Sequence, residues 1–506
     1  MQIGDIVRRA ARSFGSAPAI VFGDRTLSFE EFDTATDRLG NALFASGLKP
    51  RDRVGVLLPN GIEYLIAVHA LAKAGFVYFT LNVRDTPADH EYRIVDAGAR
   101  ALLATDRSAA SGPVEMVFDL DDIRRMSADG PSGACETLLA IDEPYRLAYT
   151  GGTTGMSKGV RLPTSTKLAE ISNYLIDLLP DIRPGEKMLH AAPITHAGGS
   201  FFLPHLLRGA CNIILPSFKP GEYLEQLERT QATTTFLVPT MITMVLDDPN
   251  VDDVNVANLR RLCYGASPIS PTTAARAQQI FGEVLYQTYG QAEAPMTITY
   301  LDPQHHHLEG SAGRPYTLSE VRVFDIDDHP VPNGELGEIV VRGPIVMQGY
   351  WNRPDESAHA LRHGWLHTGD IGFQDDAGFF YLRDRRNDVI ISGGFNVYPR
   401  EVENVLLTHP AVREAAVVSV PDEKWGERVH AVVSTRTPVT SEELLAYAKG
   451  RLAGYKRPRE LEIWPELPKS GVGKILRRTV RDHVRESQAD SRAPEHTAGR
   501  AGPEVR

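Results

Sequence analysis

The sequence predicts an α/β protein with a large N-terminal domain, built from two mainly parallel sheets covered by helices, followed by a small, mobile α+β C-terminal domain. The chain has 506 residues, which is too long for one ordinary domain. Short apolar runs alternate with helix-length amphipathic segments, a pattern typical of βαβ units. From about residue 316 short strands are separated by Gly, Asn and Asp turns, which predicts an additional antiparallel, β-barrel-like unit in the large domain.

The alternation is regular through the first 300 residues. A strand is expected over 53–60, a helix over 61–75 that ends at Gly75, and further strands over 76–82 and 100–106. Later strands are expected over 211–216, 233–239, 260–267 and 284–290, and later helices over 221–232, 240–248 and 270–282. In the last of these helices, Ser270 is expected to be the N-cap and Pro271 the first helical residue.

The C-terminal part has a different pattern of predicted strands and helices. Strands over 320–327, 334–343 and 378–384 form the antiparallel unit, and a compact α/β segment follows Asp388. We expect an N-terminal domain over 1–386, a C-terminal domain over 387–482 and a disordered tail over 483–506, because this tail has few apolar residues.

Composition excludes several classes of protein. The net charge is −11 and no long basic run occurs, so nucleic-acid binding is not indicated. The cysteines, Cys135, Cys211 and Cys263, are scattered and odd in number, which argues against a disulfide framework or a zinc cluster and favours a reducing compartment. The first residues lack an apolar signal region and no run of eighteen apolar residues follows, so we expect a cytoplasmic protein without an integral membrane segment.

A loop rich in Gly and Thr, YTGGTTGMSKGV at 149–160, follows a predicted strand. Glycines allow close approach of backbone N–H groups to an anion, the hydroxyl groups donate, and Lys158 neutralises charge, so the loop is suited to a phosphate chain. It does not have the spacing of a Walker A loop or of a Rossmann fingerprint. Taken alone, such a loop is as consistent with a mobile surface turn.

Further motifs follow in a fixed order. They are YGAS at 264–267, YGQAE at 289–293, WLHTGDIG at 365–372, RDRRNDVIISGGFNVYPREVE at 383–403 and LPKSGVGKILRR at 467–478. Together they resemble the ATP-dependent adenylate-forming enzymes, a family that includes acyl-CoA synthetases, luciferase and nonribosomal adenylation domains. The resemblance runs from about residue 10 to residue 480.

The resemblance implies an ATP site. The catalytic residues would be Lys474, which bridges the substrate carboxylate and the α-phosphate, Lys158, and Glu293, which binds Mg²⁺ together with Thr153. Asp370 would take the ribose hydroxyls with Arg385 beside it, and Tyr289 would pack on adenine. The remaining nucleotide-binding positions would be Thr150, Gly151, Gly152, Thr153, Thr154, Gly155, Gly265, Ala266, Ser267 and Gly290.

The resemblance also implies an acyl pocket and a second half-reaction. The pocket would include His196, Phe201, Thr288 and Ala294, although His196 is equally consistent with a structural histidine at a strand end. Gly393, Gly394 and Lys456 would line a tunnel for CoA, and Asn387 would be the domain hinge. Three adjacent histidines at 305–307 are interpreted as part of a loop, because consecutive residues do not converge easily on one ion.

Three positions depart from the family pattern. Ala292 stands where relatives commonly have threonine, so one hydroxyl contact to the nucleotide is absent. Thr288 replaces a glycine beside the acyl pocket and is expected to narrow it. Asn387 stands where the hinge is often Asp or Lys, and asparagine tolerates unusual backbone dihedrals.

We therefore expect a stand-alone, Mg²⁺-dependent ligase that activates an apolar fatty, alicyclic or aromatic acid with ATP and then transfers the acyl group to CoA. Three other possibilities stay open at this stage: amide formation, nitrite activation for aryl diazotisation, and an inactive nucleotide-binding regulator. A homodimer is among the assemblies expected.

Overall fold

The computed structural model describes residues 2–109, 112–150, 156–422, 424–470 and 474–492. They divide into two compact units. The larger unit extends to Arg386, and the smaller one consists of the residues from Asn387 onward apart from 471–474. Asn387, the expected hinge, is thus the first residue of the smaller unit.

The helices are α1 (Ile3–Phe14), α2 (Phe29–Ala45), α3 (Ile62–Lys73), α4 (Pro87–Ala97), α5 (Leu120–Asp129), α6 (Thr164–Asn173), α7 (Phe202–Leu207), α8 (Pro220–Thr230), α9 (Pro239–Leu246), α10 (Pro271–Phe281), α11 (Pro354–Ala360), α12 (Pro399–Leu407), α13 (Ser441–Lys449) and α14 (Arg477–Arg492). The four helices expected over 61–75, 221–232, 240–248 and 270–282 are present as α3, α8, α9 and α10. The N-cap prediction for α10 is confirmed, because the Ser270 side chain accepts a hydrogen bond from the backbone N–H of Thr273 and Pro271 opens the helix.

The strands are short, as is usual in α/β proteins. In the larger unit they are β1 (Pro18–Phe22), β2 (Arg25–Ser28), β3 (Arg53–Leu57), β4 (Val77–Thr80), β5 (Ala101–Ala104), β6 (Met116–Phe118), β7 (Pro144–Tyr149), β8 (Gly159–Pro163), β9 (Lys187–His190), β10 (Cys211–Ile214), β11 (Thr234–Leu237), β12 (Arg261–Gly265), β13 (Leu285–Gln291), β14 (Ala294–Leu301), β15 (Ser311–Pro315), β16 (Glu320–Phe324), β17 (Gly337–Arg342), β18 (Leu366–Gln374) and β19 (Phe380–Arg385). In the smaller unit they are β20 (Ile390–Ser392), β21 (Phe395–Val397), β22 (Val412–Asp422), β23 (Gly426–Thr435) and β24 (Glu460–Ile463).

One sheet of the larger unit has the strand order β6-β5-β3-β4-β7-β8. Its strands pair in parallel up to β7, and β7 and β8 then form an antiparallel hairpin. Nearly every side chain of α3 is buried, which explains why its sequence is apolar on all sides rather than amphipathic.

The other sheet has the order β2-β1-β10-β9-β11-β12-β13-β14-β15-β19-β18-β17-β16. Pairing is parallel from β1 to β13 and antiparallel from β13 onward. The two predicted, mainly parallel sheets are therefore confirmed. The predicted barrel-like unit corresponds to β15–β19, which continue this sheet through β15. The change from parallel to antiparallel pairing at β13 is important because several predicted site residues lie there.

The smaller unit is an α+β sandwich. Its sheet has the order β21-β20-β23-β22, and β24 lies parallel to β23. α12 and α13 cover a core that includes Val402, Leu406, Val417 and Val433.

The expectation of disorder from residue 483 is wrong for its first part, because α14 continues to Arg492. Val480 and Val484 are one helical turn apart, and both are buried with Val418 and Leu467. These two buried valines anchor a helix whose composition is otherwise strongly polar. The predicted tail beyond Arg492 lies outside the described residues.

Among the described residues, none of the helices combines the length and apolar character that crossing a bilayer requires. The cysteines Cys135, Cys211 and Cys263 are free and buried.

Candidate active site

The Gly/Thr-rich segment is the loop of the β7–β8 hairpin. Tyr149 pairs with Gly159 at the end of the ladder. Above it, the backbone N–H of Thr150 donates to the carbonyl of Lys158 at 3.2 Å, and the Ser157 hydroxyl donates to the carbonyl of Thr150. The two ends of the loop are therefore closed on each other. The predicted phosphate-binding residues Gly151, Gly152, Thr153, Thr154 and Gly155 lie outside the described residues.

Lys158 ends this loop with its side chain held in two ways. Its Nζ forms an ion pair with the carboxylate of Glu356, and it lies 4.9 Å from the centre of the Tyr350 ring. The second contact is a cation–π interaction, because the ammonium group lies over the negative face of the ring. Lys158 is about one-third exposed, so an incoming anion has access to it.

The β13–β14 hairpin carries Tyr289, Gly290 and Glu293. Gly290 has a steric reason to be glycine, since a Cβ there would lie 2.4 Å from the backbone nitrogen of Met296. Met296 itself has a positive φ of 53°, which marks an irregular start of β14. The tight approach of the two strands sets where the side chains on either side of Gly290 emerge.

Tyr289 and Asp370 meet directly. The Tyr289 hydroxyl donates to Oδ2 of Asp370 at 2.5 Å, and Nε of Arg385 lies 3.2 Å from Oδ1 of the same carboxylate. Asp370 and Arg385 are cross-strand partners on β18 and β19. Burial and the Asp370 carboxylate raise the pKa of Tyr289 well above its ordinary value, so this hydroxyl stays a donor. The structure thus brings Tyr289 to two residues that lie 80 to 100 positions further along the chain.

The turn that presents Asp370 is supported by Glu338. This buried carboxylate accepts the backbone N–H of Gly369 at 2.9 Å, and its other oxygen lies 3.0 Å from Nδ1 of His367 and 3.2 Å from Nη2 of Arg386. The backbone N–H of Asp370 donates to the Thr368 hydroxyl at 3.1 Å. The position of the Asp370 carboxylate is therefore determined by its own backbone contacts as well as by Tyr289.

Glu293 lies at the other end of the hairpin turn. Its backbone carbonyl accepts the N–H of Met347 at 2.8 Å, and its Oε1 accepts the Tyr350 hydroxyl at 2.9 Å. Burial and the Glu293 carboxylate raise the pKa of Tyr350. Tyr350 therefore contacts both Glu293 and Lys158.

The donor set fits a magnesium ion that is delivered with a nucleotide. Within the described residues, no cluster of three or more His, Cys, Asp or Glu side chains could hold a metal. Mg²⁺ is commonly bound by one or two carboxylates, with substrate phosphates and water completing its octahedron. A single oriented carboxylate at Glu293 meets that requirement. Thr153, the second predicted metal residue, lies outside the described residues.

The segment Gly265–Ser267 begins with the last residue of β12, and Gly265 pairs with Thr288 on β13. A Cβ at Gly265 would lie 2.4 Å from the carbonyl oxygen of Thr288, so the strands approach closely here. Ala266 has a φ of +67°, an uncommon conformation for a residue with a side chain, and backbone strain of this kind is concentrated at functional sites.

Three of the predicted acyl-pocket residues, Phe201, Thr288 and Ala294, are buried. The Phe201 ring stacks on Phe236 with ring centres 5.2 Å apart and lies 4.8 Å from Tyr174. The Thr288 hydroxyl donates to the carbonyl of Met296 and accepts the hydroxyl of Tyr316 at 3.1 Å. These aromatic side chains form a closely packed layer, which we call the aromatic wall (Tyr174, Phe201, Phe236 and Tyr316).

The fourth, His196, is partly buried beside Asn82. The Nδ2 group of Asn82 lies 3.3 Å from Nε2 of His196, and the Asn82 Oδ1 accepts the backbone N–H of Arg84. Because Asn82 offers a donor, His196 Nε2 is the acceptor and its proton is on Nδ1. Burial, assisted by the cation of Arg146, lowers the pKa of His196 to about 4.

The remaining predicted residues belong to the C-terminal segments. Gly393 and Gly394 have φ values of +58° and +82°. A Cβ at Gly393 would meet the Trp425 ring at 2.6 Å, whereas nothing lies within 4 Å of one at Gly394. Nζ of Lys456 lies 2.6 Å from Oε1 of Glu401; burial opposes the charged form, but this carboxylate raises the pKa of Lys456. Lys474 is exposed.

Sequence reasoning missed Tyr350, Glu356 and Glu338. Each lies far along the chain from the residue it contacts, so no local motif indicates it. The one local signal is the pair of aromatic residues Tyr350 and Trp351 before a turn. The residues that Tyr350 contacts can be recognised only in the structure, where the 347–351 segment lies beside β8.

The fold and the site define a class of nucleotide-activating enzyme, and comparison with known proteins agrees. The family model described as AMP-binding enzyme matches residues 7–351, and the model for the AMP-binding enzyme C-terminal domain matches residues 401–474. The chain belongs to the AMP-binding enzyme family, as the motifs indicate.

Particular relatives narrow the comparison. A feruloyl-CoA synthase from an Amycolatopsis species is 38% identical over 486 residues, covering 94% of this chain and 97% of the relative. A medium/long-chain-fatty-acid–CoA ligase from Mycobacterium tuberculosis is 35% identical over 512 residues, covering 94% and 89%. The solved structure of o-succinylbenzoate CoA synthetase from Bacillus subtilis, in complex with its acyl-adenylate intermediate, is 31% identical with a TM-score of 0.87, covering 94% and 98%.

Proposed function

We propose that this protein is an AMP-forming carboxylic acid–CoA ligase. The observation that carries the proposal is the β13–β14 hairpin, which brings Tyr289 onto the Asp370 carboxylate and Glu293 onto Tyr350, whose ring contacts Lys158. One hairpin thus contacts the carboxylate that we assign to the ribose and carries the one that we assign to the metal. The similarity to two CoA-forming relatives along nearly the whole chain supports the same assignment.

The reaction begins when the acid's carboxylate attacks the α-phosphorus of ATP and pyrophosphate leaves. Two anions must approach in line, so catalysis depends on positive charge near the phosphates and on positioning. We assign phosphate neutralisation to Lys158, ribose positioning to Asp370 with Arg385, and contact with the substrate carboxylate to Lys474. A Mg²⁺ ion held by Glu293 would supply charge stabilisation at the phosphate oxygens.

In the second half-reaction the thiol of CoA attacks the acyl carbon of the acyl-adenylate, and AMP leaves. The carbon–sulfur bond forms as the bond from the acyl carbon to the phosphate oxygen breaks. We assign Gly393, Gly394 and Lys456 to this step, and the hinge role to Asn387. Gly393 and Gly394 in left-handed conformations suit a loop that approaches a ligand through bare backbone.

For the acid substrate we propose a flat aromatic acid in preference to a long-chain one. We assign Phe201 and Thr288 to the acyl pocket, and the buried aromatic wall packed around them would limit how far an acyl chain can extend. Rings of a substrate can pack edge-on or offset against such a wall. The similarity to a feruloyl-CoA synthase and to an o-succinylbenzoate CoA synthetase supports an aromatic acid.

The test is a panel of aromatic, alicyclic and fatty acids of graded length, each incubated with ATP and Mg²⁺ with and without CoA. We expect pyrophosphate release with aromatic acids and a thioester, identified by mass spectrometry, only when CoA is present. Glu293→Ala should reduce pyrophosphate release by about 2–4 kcal/mol of transition-state stabilisation. Glu309→Ala, at an exposed carboxylate, is the matched control.

Different outcomes would favour different alternatives. Turnover that ignores CoA but needs an amine or nitrite would assign amide formation or diazotisation. Absence of pyrophosphate with every acid would favour a nucleotide-binding regulator. The buried free cysteines support a cytoplasmic location, which fractionation tests, and the homodimer stays a prediction for sedimentation velocity.

A further inference from the structure

The segment 347–351 joins two parts of the site that are distant in sequence. At one end, the backbone N–H of Met347 donates to the carbonyl of Glu293 at 2.8 Å. At the other, the N–H of Trp351 donates to the carbonyl of Gly159, the residue after Lys158, at 2.7 Å. Between them Tyr350 forms an antiparallel bridge with Val160. The backbone of this segment therefore spans the distance between the metal-binding carboxylate and the end of the phosphate loop.

The Tyr350 side chain repeats that connection with different chemistry at each point. Its hydroxyl donates to Oε1 of Glu293 at 2.9 Å, while the face of its ring lies 4.9 Å from Nζ of Lys158. The hydroxyl lies in the plane of the ring and the cation lies over its face, so both contacts can exist together. A residue present only to fill space would need neither the hydroxyl nor this orientation of the ring.

The hydrogen bond has a specific consequence for Glu293. Within the described residues, Tyr350 is the side chain that hydrogen-bonds the Glu293 carboxylate. A carboxylate with one oxygen held by a neutral donor presents its other oxygen in a fixed direction. That arrangement suits binding of a metal through one oxygen, and outer partners of this kind commonly tune metal affinity.

We propose that Tyr350 is a positioning residue that fixes the side chains of Glu293 and Lys158 relative to each other. The metal and the phosphates of one nucleotide can then be bound together. The proposal rests on the proposed function, because it takes Glu293 as the metal ligand and Lys158 as the phosphate ligand. Tyr350 acts through these two residues.

The experiment compares Tyr350→Phe, which keeps the ring but removes the hydroxyl, with Tyr350→Leu, which removes both contacts. Mn²⁺ binding to the ATP-bound protein is measured by electron paramagnetic resonance, and metal-free ATP binding by calorimetry. We expect Tyr350→Phe to weaken Mn²⁺ binding about tenfold, the loss of one hydrogen bond to a charged group, while ATP binding without metal is unchanged. Tyr350→Leu should weaken both.

Two controls make the result specific. Tyr381→Phe removes a hydroxyl outside this site that donates a 3.1 Å hydrogen bond to the carboxylate of Asp375. This variant should change neither measurement. Glu293→Gln should weaken Mn²⁺ binding at least as much as Tyr350→Phe does, and the two changes combined should be no worse than Glu293→Gln alone.

The outcomes separate this inference from the proposed function. If Glu293→Gln weakens Mn²⁺ binding but Tyr350→Phe does not, the coupling is refuted and the metal assignment stands. If neither variant changes Mn²⁺ binding, the assignment of Glu293 fails and the coupling fails with it. If Tyr350→Phe weakens metal-free ATP binding as much as Tyr350→Leu does, the hydroxyl and the ring do not have separate roles.

Discussion

Gly290 in the larger unit and Gly394 in the smaller unit differ in the reason why each position is glycine. Gly290 lies in the predicted nucleotide site and Gly394 in the predicted CoA-binding loop. Gly290 is required by packing, since a Cβ would lie 2.4 Å from the backbone of Met296. Gly394 has open space around it, and its φ of +82° alone favours glycine. Gly290 is thus required by close packing, whereas Gly394 is favoured by its backbone conformation.

The comparison shows that a motif can require glycine for two different reasons, close packing or a left-handed backbone conformation. Around Gly290 the neighbouring side chains are tied down, with Tyr289 on Asp370 and Glu293 on Tyr350. Around Gly394 the nearby side chains Ile391 and Phe395 are more than half exposed. The first region is expected to resist substitution, and the second to tolerate it structurally while losing function.

The largest expected effect separates the two half-reactions. Lys474→Ala should slow adenylate formation by about 10²–10³-fold, because in its proposed role this residue supplies a cation to the developing negative charge. It should leave transfer from chemically made acyl-adenylate to CoA nearly unchanged. Gly394→Leu should show the reverse, with pyrophosphate released for about one turnover while little thioester forms. Rapid-quench measurement of each step in both variants checks this, and equal slowing of both steps would contradict the assignment.

A smaller effect is expected on stability. Gly290→Ala should lower the free energy of unfolding by about 1–3 kcal/mol, because the added methyl group overlaps the Met296 backbone. Gly394→Ala should lower it by only about 1 kcal/mol, the penalty for a left-handed conformation. Unfolding in denaturant, monitored by hydrogen exchange in peptides from each unit, measures the two losses of unfolding free energy. Equal losses would remove the distinction drawn between the glycines.

A third prediction concerns pH. Burial lowers the pKa of His69 and His190 to about 4 and that of His205 to about 3, and all three lie in the larger unit. The unfolded chain takes up protons near pH 6.5 but the folded unit does not, so stability is complete above that pH and declines as the pH falls toward 4. Each histidine contributes up to about 1.4 kcal/mol per pH unit in that window.

The check is hydrogen exchange in peptides from the larger unit between pH 7 and pH 4.5, corrected for intrinsic rates. His69→Gln should reduce the pH dependence by one histidine's share, whereas His307→Gln, at an exposed ring, should leave it unchanged. An identical slope in His69→Gln and the parent protein would show that His69 is charged in the folded state.

The smallest effect is expected at Ala292, in the same hairpin turn as Glu293. Ala292→Thr restores the commoner residue and should raise ATP affinity by no more than the ~1 kcal/mol of one net hydrogen bond. Calorimetric titration with ATP measures it. A gain of a hundredfold would mean that the nucleotide site of this chain is impaired, and would favour the regulator.

Much of the fold follows from local pattern. The alternation of β10–β12 with α8 and α9 is visible because parallel strands need helical crossovers, and Ser270 and Pro271 mark a helix start by their own chemistry. The position of β1 beside β10 could not be predicted, since it pairs residues nearly two hundred positions apart through backbone groups that every sequence has. The end of α14 was missed because its stability depends on burial of Val480 and Val484.

The candidate site divides in the same way. Glu293, Asp370 and Lys158 stand in compact motifs that the resemblance identifies. Tyr350 contacts Glu293 and Lys158, Glu338 holds the turn beside Asp370, and Asn82 contacts His196. These contacts depend on which segments become neighbours. Such supporting residues are visible only in three dimensions, and they determine how well the motif residues are oriented.

The ion pair between Lys158 and Glu356 has a consequence for turnover. Both side chains are more than a third exposed, and an exposed pair of this kind is worth about 0.2–1 kcal/mol. Glu356 therefore competes weakly, from within the same chain, with a polyphosphate for the ammonium group of Lys158. If Lys158 binds the ATP phosphates as proposed, ATP would displace Glu356 at little cost, and the carboxylate would be close enough to pair with the lysine again after pyrophosphate leaves. Lys158 would then have a counter-ion at each stage, and rebinding of pyrophosphate would have to compete with Glu356.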